Sequence, residues 1–177
     1  MSSALKNNDI PVVALSDNLK KKRIGIIVSE WHKEITEKLL LGSLDYLKKA
    51  GIDEENIITE WVPGTFELPL GGQYLLEYCS VEAVICLGCI VKGETPHNHY
   101  LAEAASININ LLSIRHNHPF AFGVLTVDTI EQAIERAGGK SGNKGEEAAH
   151  AALSMVALKE KIKTDKTHPK GKIGFGS

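Results

Sequence analysis

The stretch "AVICLGCIVKGETPHNHY" (83–100) joins two contrasting kinds of sequence. Residues 83–91 form an apolar run without a charged side chain, which is typical of a strand buried on both faces of a parallel sheet. Residues 92–100 are polar and titratable, with a glycine, a threonine, a proline and two histidines. A buried strand that leads directly into such a loop predicts a ligand site beyond the end of the strand.

The same alternation of strand and helix recurs on both sides of this stretch. The predicted strands, each with apolar side chains on both faces, cover residues 23–29, 56–62, 83–91 and 120–127. Predicted helices follow them over 31–51, 67–79, about 97–115 and 129–138, and a last helix covers 145–162. Gly51 is expected to end the first helix. Strands that alternate with helices predict an α/β fold, a three-layer α/β/α sandwich around a central four-stranded parallel sheet.

The 177 residues are enough for one domain with a sizeable core, which we place at residues 23–163. Residues 1–22 form an N-terminal extension. Its β-like piece, "IPVVAL" (10–15), is expected to be an edge strand of this chain's sheet or of a neighbour's. Residues 164–177 are rich in lysine and glycine without periodicity, so we expect a mobile tail.

Charge and composition exclude several classes of partner. The chain has 20 basic and 22 acidic side chains, so there is no electrostatic argument for nucleic acid or an anionic membrane. No stretch reaches the roughly 18 apolar residues of a membrane span. Three cysteines and an N-terminus without a secretory signal predict a cytoplasmic protein. The ligand therefore has to be inferred from a site.

In an open parallel sheet, ligands bind beyond the carboxyl ends of the strands, so the loops there are the ones to read. They cover residues 29–32, 62–69, 92–97 and 126–129. Trp31 and Phe66 offer planar surfaces on which a ring can stack. Gly64 and Gly93 permit close backbone approach or a positive φ.

A second group of residues in these loops points to an anion. Thr95 offers a hydroxyl near the start of a helix, where backbone N–H groups hold phosphate. His97 follows two residues later, and histidine is suited to proton transfer near neutral pH. A planar ring and a phosphate are therefore the predicted ligand groups.

Each residue also has an ordinary structural explanation. An aromatic side chain beside a helix is more often part of the core, Thr95 is in the right place for a helix N-cap, and a histidine at a helix start is more often structural. Gly64 after Pro63 is typical of a simple turn. The argument for function is that these residues converge on one edge of the sheet.

Three motifs imitate other sites. The C-x-x-C at 86–89 lies in a predicted strand, where residues three apart point to opposite faces, so joint metal or redox use is not expected. The histidine pairs at 97–99 and 116–118 bracket opposite ends of one predicted helix, so we expect no metal there. "GGKS" (138–141) follows a helix instead of a strand, and its spacing does not fit a P-loop.

Several longer motifs carry a resemblance to a known family. They are "VPGTFELP" (62–69), "GETPH" (93–97) followed by Tyr100, "FGVLT" (122–126), "IEQAIERAG" (130–138) and "GNKG" (142–145). From about residue 23 to residue 162 the sequence resembles the lumazine synthase family of riboflavin biosynthesis, whose fold is flavodoxin-like.

The resemblance implies a transferase that needs neither a metal nor an organic cofactor. The implied reaction condenses 5-amino-6-(D-ribitylamino)uracil with 3,4-dihydroxy-2-butanone 4-phosphate to 6,7-dimethyl-8-ribityllumazine, phosphate and water. These small-molecule substrates contain the planar ring and the phosphate that the loops predict.

The resemblance also implies which residues form the site. Those implied for the ring and the ribityl chain are Trp31, Thr65, Phe66, Glu67, Cys89, Ile90 and Val91. Those implied for the phosphate are Glu94 and Thr95, and His97 is implied for proton transfer.

Three further residues are implied to reach the site from a neighbouring subunit: Phe122, Arg136 and Lys144. Phe122 lies early in its strand and Arg136 near the end of a helix, so neither is expected to reach its own chain's site. The resemblance therefore implies a homo-oligomer, a pentamer with sites between subunits. In many family members twelve pentamers form an icosahedral shell, which tends to accompany the absence of an insertion in "AGGKSGNKG" (137–145).

The sequence departs from the family pattern at three positions. His32 stands where the family usually has asparagine, Glu94 where a small residue is common, and His99 where an acidic residue is frequent. A carboxylate beside a phosphate is unfavourable, so Glu94 is expected to contribute its backbone N–H. Two alternatives stay open: a riboflavin synthase of the same fold, and a non-catalytic module that binds flavin or lumazine.

Overall fold

A four-stranded parallel sheet forms the centre of the protein in a computed structural model that describes residues 10–167. Its strands are β1 (Ile24–Ser29), β2 (Ile57–Val62), β3 (Ala83–Val91) and β4 (Phe120–Val127). The order across the sheet is β2-β1-β3-β4. The predicted strands, the parallel sheet and the flavodoxin-like sandwich are confirmed.

Helices cover both faces of this sheet. They are α1 (Asp17–Lys20), α2 (Lys33–Lys49), α3 (Leu68–Cys79), α4 (His97–His116), α5 (Ile130–Arg136) and α6 (Lys144–Thr167). As predicted, α2 ends just before Gly51, which has a φ of 85°. Within residues 10–167, none of the helices has both the length and the hydropathy that a membrane crossing requires.

The core has two parts, one on each face of the sheet. Helices α2, α5 and α6 pack on one face, and α3 and α4 pack on the other. Strand β3 lies between them and is buried along its length except at Val91. Side chains such as Ile85 and Leu87 are fully buried, and each contributes about 1.5–3 kcal/mol of hydrophobic stabilisation.

The three motifs that imitate other sites lie where the sequence predicts them relative to the strands and helices. Cys86 and Cys89 belong to the core clusters on opposite faces of the sheet. The two histidine pairs lie at opposite ends of α4. Residues 138–141 follow α5 and belong to a small antiparallel hairpin of β5 (Ala137–Gly139) and β6 (Gly142–Asn143), which was not predicted.

The N-terminal segment differs from its prediction. Residues 10–15 form no strand in this chain. Instead they lie against α2 and α6, where Tyr46 Oη accepts a hydrogen bond from the Val13 N–H (3.1 Å) and donates one to the Pro11 carbonyl (2.8 Å). Proline has no N–H to offer a sheet, and Val13 directs its own to a side chain. Pairing with a neighbour's sheet stays a prediction.

The C-terminal boundary of the domain also differs from its prediction at residue 163. Helix α6 runs to Thr167, so residues 164–167 are helical instead of lacking regular structure. The rest of the expected tail, residues 168–177, lies outside the described residues, as do residues 1–9.

Candidate functional site

A cavity of about 410 Å³ lies beyond the carboxyl ends of β1, β2 and β3. Nine of the residues implied for the site within one chain line it: Trp31, Thr65, Phe66, Glu67, Cys89, Ile90, Val91, Thr95 and His97. Their individual roles stay predictions. Parallel pairing explains why these residues lie together. Ser29 pairs with Val62, so the ends of β1 and β2 lie at the same edge of the sheet.

The loop after β1 presents an aromatic surface at the cavity. The Glu30 N–H donates to the Val62 carbonyl (2.8 Å) and thereby ties this loop to the end of β2. The next residue, Trp31, keeps 70% of its surface exposed although it lines the cavity. His32 contacts it edge to face, with 6.3 Å between the ring centroids, in a left-handed backbone conformation (φ 59°) that is uncommon for a residue other than glycine. The indole ring is therefore available for stacking.

The loop after β2 packs closely on β3 at Gly88. Thr65–Glu67 form a short 3-10 helix in which Thr65 is buried and Phe66 is 64% exposed. A Cβ atom at Gly88 would lie 2.8 Å from Thr65 Oγ1 and 3.1 Å from Leu68 Cδ1. Only glycine at this position in β3 leaves room for the loop to close over the strand.

The loop after β3 leads to the start of α4. The Lys92 N–H donates to the Val127 carbonyl (2.9 Å), and Lys92 Nζ lies 3.6 Å from Asp128 Oδ1. Pro96 is the N-cap of α4, so the explanation of Thr95 as N-cap is wrong. The first N–H groups of a helix have no partner within the helix, and they attract an anion at its positive end. Thr95 therefore lies beside donors suited to phosphate.

Gly64 and Gly93, the two glycines of these loops, do not adopt a positive φ. The glycines with positive φ in residues 10–167 are Gly51, Gly138 and Gly142, so neither Gly64 nor Gly93 needs that conformation. No atom lies within 4 Å of the position that a Cβ on Gly93 would take. A ligand can therefore approach the backbone there.

The thiol in the cavity is not a nucleophile. Burial raises the pKa of Cys89 to about 11, and it raises the pKa of Cys86 still further. Both thiols are neutral at physiological pH, and the thiolate is the reactive form. Cys89 therefore offers the cavity a packing surface and its backbone groups.

Two cavity residues, Asn98 and Leu101, were missed by the sequence reasoning. Asn98 is buried, and its Oδ1 has no hydrogen-bond partner among residues 10–167. An unpaired buried acceptor costs about 1–3 kcal/mol. Its place in the second position of α4 was readable from the sequence, but the direction of its side chain depends on packing.

Four implied residues do not line the cavity formed by residues 10–167: Glu94, Phe122, Arg136 and Lys144. Glu94 is exposed beside Thr95. The other three, which we call the outlying trio, lie elsewhere. Phe122 pairs with Cys86, about 16 Å before the end of β3, Arg136 is exposed at the end of α5, and Lys144 forms an ion pair with Glu147 (2.8 Å). One chain by itself therefore presents part of the implied site.

The histidines of residues 10–167 lie apart from one another instead of forming one cluster of possible metal ligands. In the part of the chain that the structure describes, no group of three or more histidine, cysteine, aspartate or glutamate side chains is placed to hold a metal ion. His97 shares the cavity with aromatic rings, a hydroxyl and backbone donors instead.

The fold and the cavity together define a class: an α/β sandwich with a cavity at the carboxyl edge of its sheet, where exposed aromatic side chains lie near the start of a helix. Comparison with known proteins gives the family. The model of the 6,7-dimethyl-8-ribityllumazine synthase family matches residues 21–160, and the chain belongs to this family.

Individual relatives agree with the family match. A 6,7-dimethyl-8-ribityllumazine synthase of Cytophaga hutchinsonii is 51% identical over 162 residues, which are 89% of this chain and 98% of that protein. The synthase of Protochlamydia amoebophila is 44% identical over 86% of this chain and 88% of its own length. That of Parabacteroides distasonis is 50% identical over 75% of this chain and 83% of its own.

Proposed function

We propose that this protein condenses 5-amino-6-(D-ribitylamino)uracil with 3,4-dihydroxy-2-butanone 4-phosphate, which is the penultimate step of riboflavin biosynthesis. The products are 6,7-dimethyl-8-ribityllumazine, phosphate and water. The observation that carries this proposal is the cavity, where an exposed indole and a phenyl ring lie near a helix start with Thr95 and His97. The family membership favours this reaction over the two alternatives.

Each substrate group has a suitable partner in the cavity. The pyrimidinedione ring stacks on Trp31, and the backbone of residues 89–91 binds its edge. The Thr65–Glu67 loop contacts the ring and the ribityl chain. Thr95 and the N–H groups at the start of α4 hold the phosphate, with Glu94 contributing its backbone while its side chain stays in solvent.

The chemistry follows from this arrangement. The amine of the uracil substrate attacks the ketone and forms an imine with loss of water. His97 assists proton removal, phosphate leaves, and ring closure with loss of water completes the lumazine. Most of the acceleration comes from holding two substrates together in one cavity, so His97 contributes a smaller part.

We further propose that the working site lies between two subunits. A groove of about 390 Å³ adjoins the cavity, and Phe66 lines both of them. The groove is otherwise formed by residues of α3 and α4, among them Leu70 and Leu111, which are 51% and 53% exposed. A second copy of the chain seated in this groove would reach the cavity.

The surface around the groove favours such an association. Further exposed apolar side chains on α3 and α4 are Tyr74, Tyr78, Ile107 and Ile114. Several large exposed apolar side chains on two neighbouring helices are typical of protein interfaces. A neighbour would bring the outlying trio, with Arg136 offering the phosphate a fork of donors.

The proposed assembly is a pentamer, as the resemblance implies. The absence of an insertion in "AGGKSGNKG" favours the icosahedral shell of such pentamers. We also propose a cytoplasmic location, since the three cysteines are unpaired, as is usual in a reducing compartment.

The test measures lumazine formation and the mass of the assembled particle. The purified protein is mixed with both substrates, formation of fluorescent lumazine is followed, and light scattering gives the mass of the particle. Saturable turnover that requires both substrates is the expected result. Turnover of lumazine alone would indicate the riboflavin synthase, and flavin that stays bound without turnover would indicate the non-catalytic module.

A further inference from the structure

Asn98 lies in the cavity wall with a buried side-chain oxygen that no donor from residues 10–167 reaches. The residue is 8% exposed and lines the cavity, and its Oδ1 has no hydrogen-bond partner among residues 10–167. A leucine in this position would fill similar space without leaving a buried polar atom unpaired. The amide therefore has no structural benefit in the isolated chain.

The chemistry of the amide limits what can pair with it. A carboxamide oxygen only accepts hydrogen bonds, so its partner must be a donor. A phosphate offers mainly acceptor oxygens and cannot fill this role, and the cavity already has Thr95 and helix N–H groups for it. A hydroxyl group can donate to Oδ1 and accept from Nδ2, which satisfies both ends of the amide.

We propose that Asn98 binds a hydroxyl group of a substrate, with Oδ1 accepting the hydrogen bond. This inference rests on the proposed function, since both substrates carry a free hydroxyl: several on the ribityl chain, and a single one, at C3, on the dihydroxybutanone phosphate. Asn98 follows His97 directly in α4, and Leu101 lies one turn further along the same cavity wall. The bond would hold a flexible carbon chain in place beside the proton-transfer residue.

Two variants of Asn98 and one control test the inference. Asn98→Leu removes donor and acceptor at similar volume, whereas Asn98→Asp keeps an acceptor. The control is Asn110→Leu, which makes the same change at an exposed position of α4. We expect Asn98→Leu to lower kcat/KM about tenfold or more, while its thermal midpoint does not fall, because an unpaired buried atom is gone. Asn98→Asp should retain more activity than Asn98→Leu.

Separate measurements for the two substrates identify the hydroxyl. A raised KM for the ribitylaminouracil assigns it to the ribityl chain, and a raised KM for the butanone phosphate assigns it to that substrate. Calorimetric titration of each substrate alone into wild type and Asn98→Leu tests the same contact without turnover. A wild type that binds but does not react would contradict the proposed function and still decide the role of Asn98.

Two results would overturn the inference. One is kcat/KM and affinity within twofold of wild type for both substrates in Asn98→Leu. The other is loss of assembly or a lowered thermal midpoint that accompanies equal losses in both Asn98 variants, which would assign the amide to the interface or the core.

Discussion

The cavity wall and the outlying trio represent two ways of building a site. The wall is assembled within one chain, because parallel pairing aligns the ends of neighbouring strands and brings their loops to one edge. Phe122, Arg136 and Lys144 lie in the first half of β4, at the end of α5 and at the start of α6, away from that edge. One chain thus brings together nine of the implied residues, and under the proposed assembly a neighbouring chain would supply the outlying trio.

The largest expected effect concerns the trio. Arg136→Ala should lower kcat/KM by roughly 100-fold or more, because a guanidinium that binds phosphate through two charge-assisted hydrogen bonds is lost. The matched control is Lys140→Ala, which removes an exposed cation that pairs only with Glu135 in the part of the chain described here. Steady-state kinetics of lumazine formation measures both variants. Equal activities in the two would place Arg136 outside the site.

A mixture of variants tests whether the trio acts across an interface. Arg136→Ala is coexpressed with the double variant Thr95→Ala/His97→Ala, which damages the cavity wall. If the site has contributions from two subunits, about a quarter of the sites in a randomly mixed ring combine two intact halves, and turnover returns to about that level. Mixed rings no more active than the separate variants would show that one chain supplies both halves.

The next effect concerns chemistry within the wall. His97→Ala should lower kcat about tenfold, because proton transfer is slowed while both substrates are still held together. His99→Ala is the control, since this exposed histidine of the same helical turn does not line the cavity formed by residues 10–167. Single-turnover kinetics separates the chemical step from product release. Unchanged kinetics in His97→Ala would remove this residue from proton transfer.

A third prediction tests whether the wall depends on the packing of the Thr65 loop on β3. Gly88→Ala should lower the free energy of unfolding by about 1–3 kcal/mol, because the new Cβ would lie 2.8 Å from Thr65 Oγ1. At Gly93 no atom lies within 4 Å of the added Cβ, so Gly93→Ala should change stability by less than about 0.5 kcal/mol. Denaturant unfolding of the two variants gives the difference. Equal stabilities would mean that the loop adjusts freely.

The smallest expected effect is a pH dependence of the free energy of unfolding, which arises from Cys89 in the cavity wall. Burial raises the pKa of Cys89 to about 11 from its ordinary value of 9.0, so the folded state favours the neutral thiol. The stability contributed by that preference is complete below pH 9 and is lost as the pH rises to about 11. The stability difference between wild type and Cys89→Ala should therefore narrow by about 1 kcal/mol over this interval, after allowance for solvent screening. Denaturant unfolding under reducing conditions measures it, and a constant difference would mean that the thiol is not desolvated.

The sequence by itself determined the elements, the sheet and the edge that carries the cavity. Apolar runs such as residues 83–91 and helical spacing such as that of 31–51 are local signals, and parallel pairing then directs the following loops to one side. For this reason the loops with Trp31, Phe66 and His97 could be predicted to meet.

Only the tertiary structure decided the features that depend on distant neighbours. Residues 10–15 lie against Tyr46 instead of forming a strand, and Gly88 makes room for Thr65. Asn98 lines the cavity, and its Oδ1 has no partner within residues 10–167. None of these follows from a periodic pattern, because each depends on which atoms from another part of the chain fill the space around one side chain.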